Sequence, residues 1–359
     1  MSLQPSLPPV RSSVPSGSTA EPKLWLPKRV LFTADALERP FGQTLLKRMK
    51  GLGLDVTELT SNRLPSLRGK DERETYRLAK GTLAVVNAPP SALQLQAIPP
   101  SADWQFHLAK GCPAHCQYCY LAGSLSGPPL TRVYANLPEI LASLAAYERP
   151  GRLTTFEASC YTDPLGLEHL TGSLSETVRY FGTRDGAQLR WVSKFSAVEP
   201  LLEVEHRGRT RARVSVNAEV VSRRLEGGTA PVAARLAGLR KLAEAGYPVG
   251  VVVAPIMPLE SWQEHYSALF DLLEAQVGGS FDLTFELISH RFTPGSKEVL
   301  EAWYPNSSLE MDPHERAVKR NKFGGLKYVY KGDVMAQLRT FFETEIALRF
   351  PEARLLYWT

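Results

Sequence analysis

From Trp104 to Ile288 the chain repeats one unit: a short run rich in β-branched and aromatic residues, then a stretch with helical periodicity. The strand runs are Trp104–Ala109, Thr154–Ser159, Leu189–Ser193, Arg213–Asn217, Val249–Ala254 and Leu283–Ile288. Helical patterns fall at Leu137–Tyr147, Leu170–Tyr180, Val198–Val204, Pro231–Ala245 and Trp262–Ala275. Strands joined by helical crossovers run parallel, so the pattern predicts a partial parallel (β/α) barrel with helices outside. In such folds the loops at the C-terminal strand ends carry the chemistry. Before this block, strands Arg29–Thr33 and Thr82–Asn87 with a helix near Gly42–Leu52 predict an N-terminal α/β extension. After Ser289 come a basic, glycine-containing stretch, a helix near Val334–Ala347 and a last strand, Leu355–Trp358. The expected division is a Pro/Ser-rich tail at 1–25, an α/β subdomain at 26–100, the barrel at 101–290 and a C-terminal hairpin, helix and strand at 291–359.

The 359 residues are 43% hydrophobic and 22% charged, as in an ordinary globular protein. No apolar run is long enough to span a bilayer, so no membrane partner is expected. The Pro/Ser-rich start lacks the apolar core of a secretory signal and reads as a disordered tail. Four cysteines in this length make no disulfide framework, and a clustered triplet suits a reducing, cytoplasmic compartment. A formal net charge of +5 permits a polyanionic partner.

Three of the four cysteines, Cys112, Cys116 and Cys119, lie within eight residues, spaced C-x3-C-x2-C. Three thiolates can hold three corners of a cubane [4Fe–4S] cluster and leave the fourth iron open to a small molecule. Structural zinc is the alternative, but it favours two paired knuckles, and here no second pair lies downstream. Cys160 lies 41 residues beyond Cys119, after the predicted strand Thr154–Ser159. By position alone it is a fourth ligand, a separate reagent, or a small buried hydrophobe. The cysteine loop also follows a predicted strand end, so both fall on one barrel face.

The loop, continued by an aromatic in Cys-Gln-Tyr-Cys-Tyr-Leu, resembles the radical S-adenosylmethionine superfamily. Further segments narrow the resemblance: Phe-Glu-Ala-Ser-Cys at 156–160, Gly-Leu-Glu-His-Leu-Thr at 166–171, Ile-Ser-His-Arg-Phe-Thr-Pro-Gly-Ser-Lys at 288–297, Trp-Tyr-Pro-Asn at 303–306 and Lys-Arg-Asn-Lys-Phe-Gly at 319–324. Together these resemble the spore photoproduct lyase family from about residue 28 to the C-terminus.

The resemblance implies a cluster on Cys112, Cys116 and Cys119 and S-adenosylmethionine on the open iron. It implies repair of a thymine dinucleotide lesion in DNA, the spore photoproduct, by a radical route. It makes Cys160 the hydrogen-atom donor to the product radical, with Tyr118 and Tyr120 returning the hydrogen. It assigns cofactor contacts to Lys194, Ser215 and Asn217. Ser159 stands in a Glu-Ala-Ser segment where many superfamily members carry a glycine-rich cofactor motif, and Tyr161 follows Cys160 where a small hydroxyl residue is expected. An electron donor such as flavodoxin or ferredoxin is implied as a partner. The wider reading is an enzyme acting on another nucleic-acid lesion or a modified base. A different class is a non-catalytic nucleic-acid-binding protein held by a structural metal.

Two basic stretches stand out. Arg316–Lys331 interleaves six cations with Phe323, Tyr328 and Tyr330 around Gly324-Gly325, predicting a β-hairpin. The resemblance places DNA contacts there, at Lys319, Arg320, Lys322 and Tyr328, joined by His290 and Arg291. The run Arg207–Arg213 precedes a strand, so the expectation puts it on the opposite barrel face, away from the chemistry.

Overall fold

The computed structural model describes residues 24–124, 127–278, 281–320 and 324–359. Strands β1 (Arg29–Phe32), β2 (Val56–Glu58) and β3 (Thr82–Val86) start an N-terminal sheet. A β-hairpin, β4 (Gln96–Ile98) and β5 (Ala102–Phe106), opens the larger sheet. Then come β6 (Ala109–Lys110), β7 (His115–Cys116) and β8 (Thr131–Tyr134) around the cysteine loop. The chain continues through β9 (Thr154–Ala158), β10 (Ala187–Ser193), β11 (Thr210–Val216), β12 (Glu226–Gly227), β13 (Val249–Ile256) and β14 (Leu283–Ser289). A hairpin, β15 (Ala317–Arg320) and β16 (Leu326–Val329), precedes a final strand β17 (Arg354–Trp358).

The large sheet has the order β17-β14-β13-β11-β10-β9-β5-β4. Every pairing in it is parallel except β4 with β5, so the strands step across the sheet in chain order, as expected of a half-barrel. Its two faces follow from period-two alternation. On β11 the apolar Ala212, Val214 and Val216 pack under the helices Ser173–Gly182, Val232–Glu244 and Trp262–Val277, whose buried residues recur at helical spacing. A fully buried leucine or phenylalanine here contributes about 1.5–3 kcal/mol.

The concave face is charged. Arg213 of β11 bonds Glu286 of β14 at 2.7 Å and also bonds Glu157 of β9; Arg190 of β10 bonds Glu286. Because β9 and β14 are not neighbours, these bonds cross the inside of the curl. Gly250 makes the space: a Cβ there would meet the Arg213 Cγ at 2.9 Å. Removing one partner of such a buried ion pair costs about 3–5 kcal/mol. The expectation for the arginine run is therefore corrected at Arg213, its last member. Arg207 and Arg209 lie before β11, but period two turns Arg213 into the barrel, where it is 2% exposed.

Other differences have local causes. The predicted strand Trp104–Ala109 stops at Phe106, and β6 crosses to the N-terminal sheet, pairing antiparallel with β8. That sheet thus runs β2-β1-β3-β8-β6, with strands drawn from beyond residue 100. The predicted helix Leu170–Tyr180 divides at Gly172, whose φ of 66° ends the segment Glu168–Thr171. Val198–Val204 keeps only the turn Glu199–Leu201. Among the described residues no helix is long and apolar enough to cross a membrane.

Candidate active site

The cysteine loop is clamped from both sheets. Gly111, just before Cys112, has φ of 85°, and a Cβ there would lie 2.3 Å from the Leu130 carbonyl oxygen. Both the backbone sign and the close approach demand glycine. Its N–H donates to the Tyr161 carbonyl at 3.0 Å, so the loop is tied directly to the turn holding Cys160. Downstream, β7 pairs with β12, setting Cys116 opposite Glu226. The turn Tyr120–Ser124 lies on the helix Pro294–Trp303; a Cβ on Gly123 would meet the Ser296 nitrogen at 2.5 Å.

Cys112, Cys116 and Cys119 are half-buried and in no disulfide. Burial pushes the Cys112 thiol up to about 11, with Lys80 opposing the rise. Burial likewise raises Cys116 and Cys119. Lys80 ends the helix Glu72–Lys80 and is buried. Its ammonium donates to the Cys112 carbonyl at 2.5 Å and to the Ala114 carbonyl. Among the described residues no carboxylate lies within ion-pair distance of it; burial pushes its ammonium down, and negative charge on the three cysteines would oppose that fall.

A lone buried ammonium is costly unless an anion faces it. Three thiolates on an iron–sulfur cluster would supply that negative charge, so lysine and thiols fit the group together. Among the described residues no set of three or more His, Cys, Asp or Glu side chains is arranged to hold a single metal ion. The loop's own histidine, His115, is engaged through Nδ1 with the Tyr76 hydroxyl at 2.8 Å.

Tyr118 is buried, and its hydroxyl donates to Glu226. Arg235, fully buried, meets the other Glu226 oxygen at 2.6 Å, and Lys194 lies 3.3 Å from the first. Burial alone would raise the Glu226 carboxyl, but Lys194 and Arg235 outweigh it and hold it at about 2. The Lys194 ammonium also donates to Ser215 Oγ at 2.5 Å and to the Ala254 carbonyl at 3.0 Å, and sits 5.7 Å from the Tyr118 ring centre. Its position is set from behind: buried Asp163 accepts the Lys194 N–H at 2.7 Å and the Ser193 hydroxyl at 2.7 Å.

Asn217 lies two residues beyond Ser215 and is bonded through both ends of its amide to the protein. Its amide donates to the Pro255 carbonyl at 2.6 Å, and its oxygen accepts the Tyr266 hydroxyl at 2.9 Å. Ser159 is buried with φ of 61°, and its Oγ accepts the Leu108 N–H at 3.1 Å. It turns the chain at the end of β9, so Cys160 follows the strand end in the turn tied to the cysteine loop. Tyr161 is held between His107, with ring centres 4.8 Å apart, and the Lys110 ammonium at 5.9 Å. Cys160, the three loop cysteines, Tyr118, Lys194 and Ser215 thus share one end of the half-barrel.

The basic residues divide. The hairpin β15–β16 is present, and Lys322 lies outside the described residues. Direct pairing places Val318, Arg320, Leu326 and Tyr328 on one face, and Lys319 and Lys327 on the other. Tyr328 stacks on Phe292 at 5.1 Å and so anchors the hairpin to the body. Arg291 lies over the Tyr120 ring at 5.5 Å, joining the hairpin region to the cysteine loop. His290 departs from expectation: it is 1% exposed, and burial beside Arg316 pushes its imidazole down to about 3. Its ring cannot reach a duplex surface. Arg316 is buried too, 3.9 Å from the Tyr330 ring centre and bonded to Glu310 at 2.7 Å.

Sequence reasoning missed Lys80, Glu226 and Arg235. A signal for the first existed: Asp71 with Glu74 three residues later marks a helix start, and the Asp71 side chain caps the Glu74 N–H at 2.7 Å.

The family model for spore photoproduct lyase matches residues 25–359. A spore photoproduct lyase of Bacillus subtilis is 40% identical over 340 residues, covering 93% of this chain and 99% of the relative. One from a Geobacillus species is 41% identical over 342 residues, covering 94% and 100%. A solved spore photoproduct lyase complexed with the dinucleoside spore photoproduct superposes with a TM-score of 0.89 at 39% identity, covering 94% of this chain and 100% of that one. A variant solved with bound AdoMet and the same dinucleoside gives the same score and identity. On this match over nearly its whole length, the chain belongs to the spore photoproduct lyase family.

Proposed function

We propose that the chain is a DNA repair lyase that returns the spore photoproduct, 5-thyminyl-5,6-dihydrothymine, to two thymines. One observation carries the reading: the three-cysteine loop, Cys160 and Lys194 meet at one end of a half-barrel in a chain of this family. Cys112, Cys116 and Cys119 would hold a [4Fe–4S] cluster, with S-adenosylmethionine as the second group. Together they supply hydrogen-atom abstraction from carbon.

The chain's own residues do the rest. The Lys194 ammonium, 3.3 Å from Glu226, would hold the cofactor's carboxylate. Ser215 and the Ala254 carbonyl keep it in place. Cys160 gives its thiol hydrogen atom to the thymine radical left when the bond between the thymines breaks. The resulting thiyl would recover, through Tyr118 and Tyr120, the hydrogen atom first abstracted from the lesion, so that no net hydrogen is consumed. The Tyr118 O–H is directed at Glu226, so a carboxylate stands ready at its proton.

A stacked dinucleotide cannot enter the half-barrel, so the lesion leaves the duplex. The hairpin supports that step. Val318 is 59% exposed and Leu326 42% exposed, on the face that also carries Arg320, which suits a wedge between base steps. Lys319 and Lys327 sit directly opposite each other on the other face. Like charges so placed repel unless an anion lies between them. Burial and the neighbouring Arg291 and Lys319 already push the Lys327 ammonium down. Replacing both lysines with alanine is expected to flatten the salt dependence of DNA binding by about 1.8 in slope, or 0.9 per lost phosphate contact. Repair of the free dinucleotide should not change. Fluorescence-anisotropy titrations between low and moderate salt measure the slope.

The activity itself is tested with anaerobically reconstituted protein, a strong reductant, S-adenosylmethionine and the dinucleoside lesion. Chromatography should show loss of the lesion and appearance of the two-thymine product. Cofactor cleavage with the lesion intact would sink the substrate assignment in favour of another nucleic-acid lesion.

A further inference from the structure

We propose that Lys80 is a positioning residue for the iron–sulfur cluster, whose single buried positive charge makes the cluster easier to reduce. The inference rests on the cluster reading above. The helix Glu72–Lys80 packs beside the cysteine loop and delivers its last side chain underneath it. The ammonium binds two loop carbonyls, those of Cys112 and Ala114. It faces the Tyr76 ring at 6.0 Å. Among the described residues it has no carboxylate partner, in contrast to Lys194, which lies 3.3 Å from Glu226.

Two consequences follow from this placement. The two hydrogen bonds hold the loop between Cys112 and Ala114 and so set the first ligand's backbone. The charge is a separate effect. Adding an electron to the cluster makes it more negative, and a fixed cation close by in a water-excluded site stabilises the added charge. Lys194 shares Glu226 with Arg235, so its own pull is partly offset. Lys80 is therefore a cation that acts on all three thiols and, among the described residues, has no carboxylate partner.

The test separates the bonds from the charge. Lys80→Met removes both, Lys80→Gln keeps an N–H donor without charge, and Lys80→Arg keeps donor and charge. Each full-length protein is reconstituted anaerobically, assayed for iron and sulfide, and titrated with a mediator while the reduced cluster is followed by electron paramagnetic resonance. The equilibrium constant for one-electron reduction should fall at least about tenfold in Met and Gln, a shift of about 59 mV to lower potential. Arg should stay near the wild-type value. If Met fails to assemble a cluster, Gln carries the comparison. A wild-type potential in a cluster-loaded Gln protein overturns the proposal, because Lys80 would then be only a backbone staple. Absence of iron and sulfide in the wild-type protein would instead remove the cluster reading itself.

Discussion

Cys116→Ala is expected to yield a folded protein that binds almost no iron or sulfide and has lost at least about a thousandfold in cofactor cleavage. The fold should survive because Cys116 contributes to the structure mainly through its backbone. It pairs with Glu226 in the short β7–β12 ladder, which alanine can also form. The side chain removed is small, so the lost burial costs only about 1 kcal/mol. The chemistry should not survive, because nothing else in the loop replaces a thiolate. His115 is bound to Tyr76, and Lys80 is a cation with no acceptor electrons to give. Circular dichroism and thermal melting check the fold; iron, sulfide and 5′-deoxyadenosine assays check the function. Near-wild-type iron in this variant would mean that the loop is not the metal site. A large fall in melting temperature would mean that the cysteine is structural.

Much of this arrangement was legible in the sequence, and the unread parts share a cause. Period-two and helical periodicities report one face of one element, so the strand-helix alternation and the order of the half-barrel could be read. The spacing of Cys112, Cys116 and Cys119 reports a loop, and it too could be read. What could not be read are contacts between distant elements. Lys80 reads as an ordinary helix-terminal lysine; its meaning comes from a loop some thirty residues away. Arg213 reads as the end of a surface arginine run; only the curl of the sheet brings it to Glu157 and Glu286. His290 sits in a family-like segment beside Arg291, and one residue of offset decides that one is buried and the other is not. Strand β8 was missed for a different reason: it has four residues, follows two prolines, and acquires its partners β3 and β6 only in three dimensions.

The second large effect concerns the fourth cysteine. Cys160→Ala is expected to leave iron, sulfide and S-adenosylmethionine cleavage within about twofold of wild type while formation of two thymines falls about tenfold or more. The structure separates Cys160 from the loop that carries the other three. It follows β9 in the large sheet, whereas the loop is bracketed by β6 and β8 of the N-terminal sheet. The two meet through the Gly111 N–H and the Tyr161 carbonyl, one residue on either side of Cys112 and Cys160. The backbone around Cys160 is held by hydrogen bonds. The Ser159 N–H donates to the Phe106 carbonyl at 2.7 Å, and the Thr162 N–H donates to the Ser159 carbonyl at 3.1 Å. A side chain carried on a backbone fixed this way, beside but outside the three-cysteine loop, suits a reagent that must meet one carbon atom in one orientation. Alanine keeps that backbone and removes only the S–H bond. Serine keeps the shape and a hydrogen, but its O–H bond is too strong to surrender a hydrogen atom to a thymine radical, so Cys160→Ser should behave like alanine. The product radical, left unquenched, should then appear as adducts with solution species, which mass spectrometry resolves. Loss of the cluster in either variant would instead make Cys160 a ligand, and wild-type thymine yield in both would remove it from the reaction.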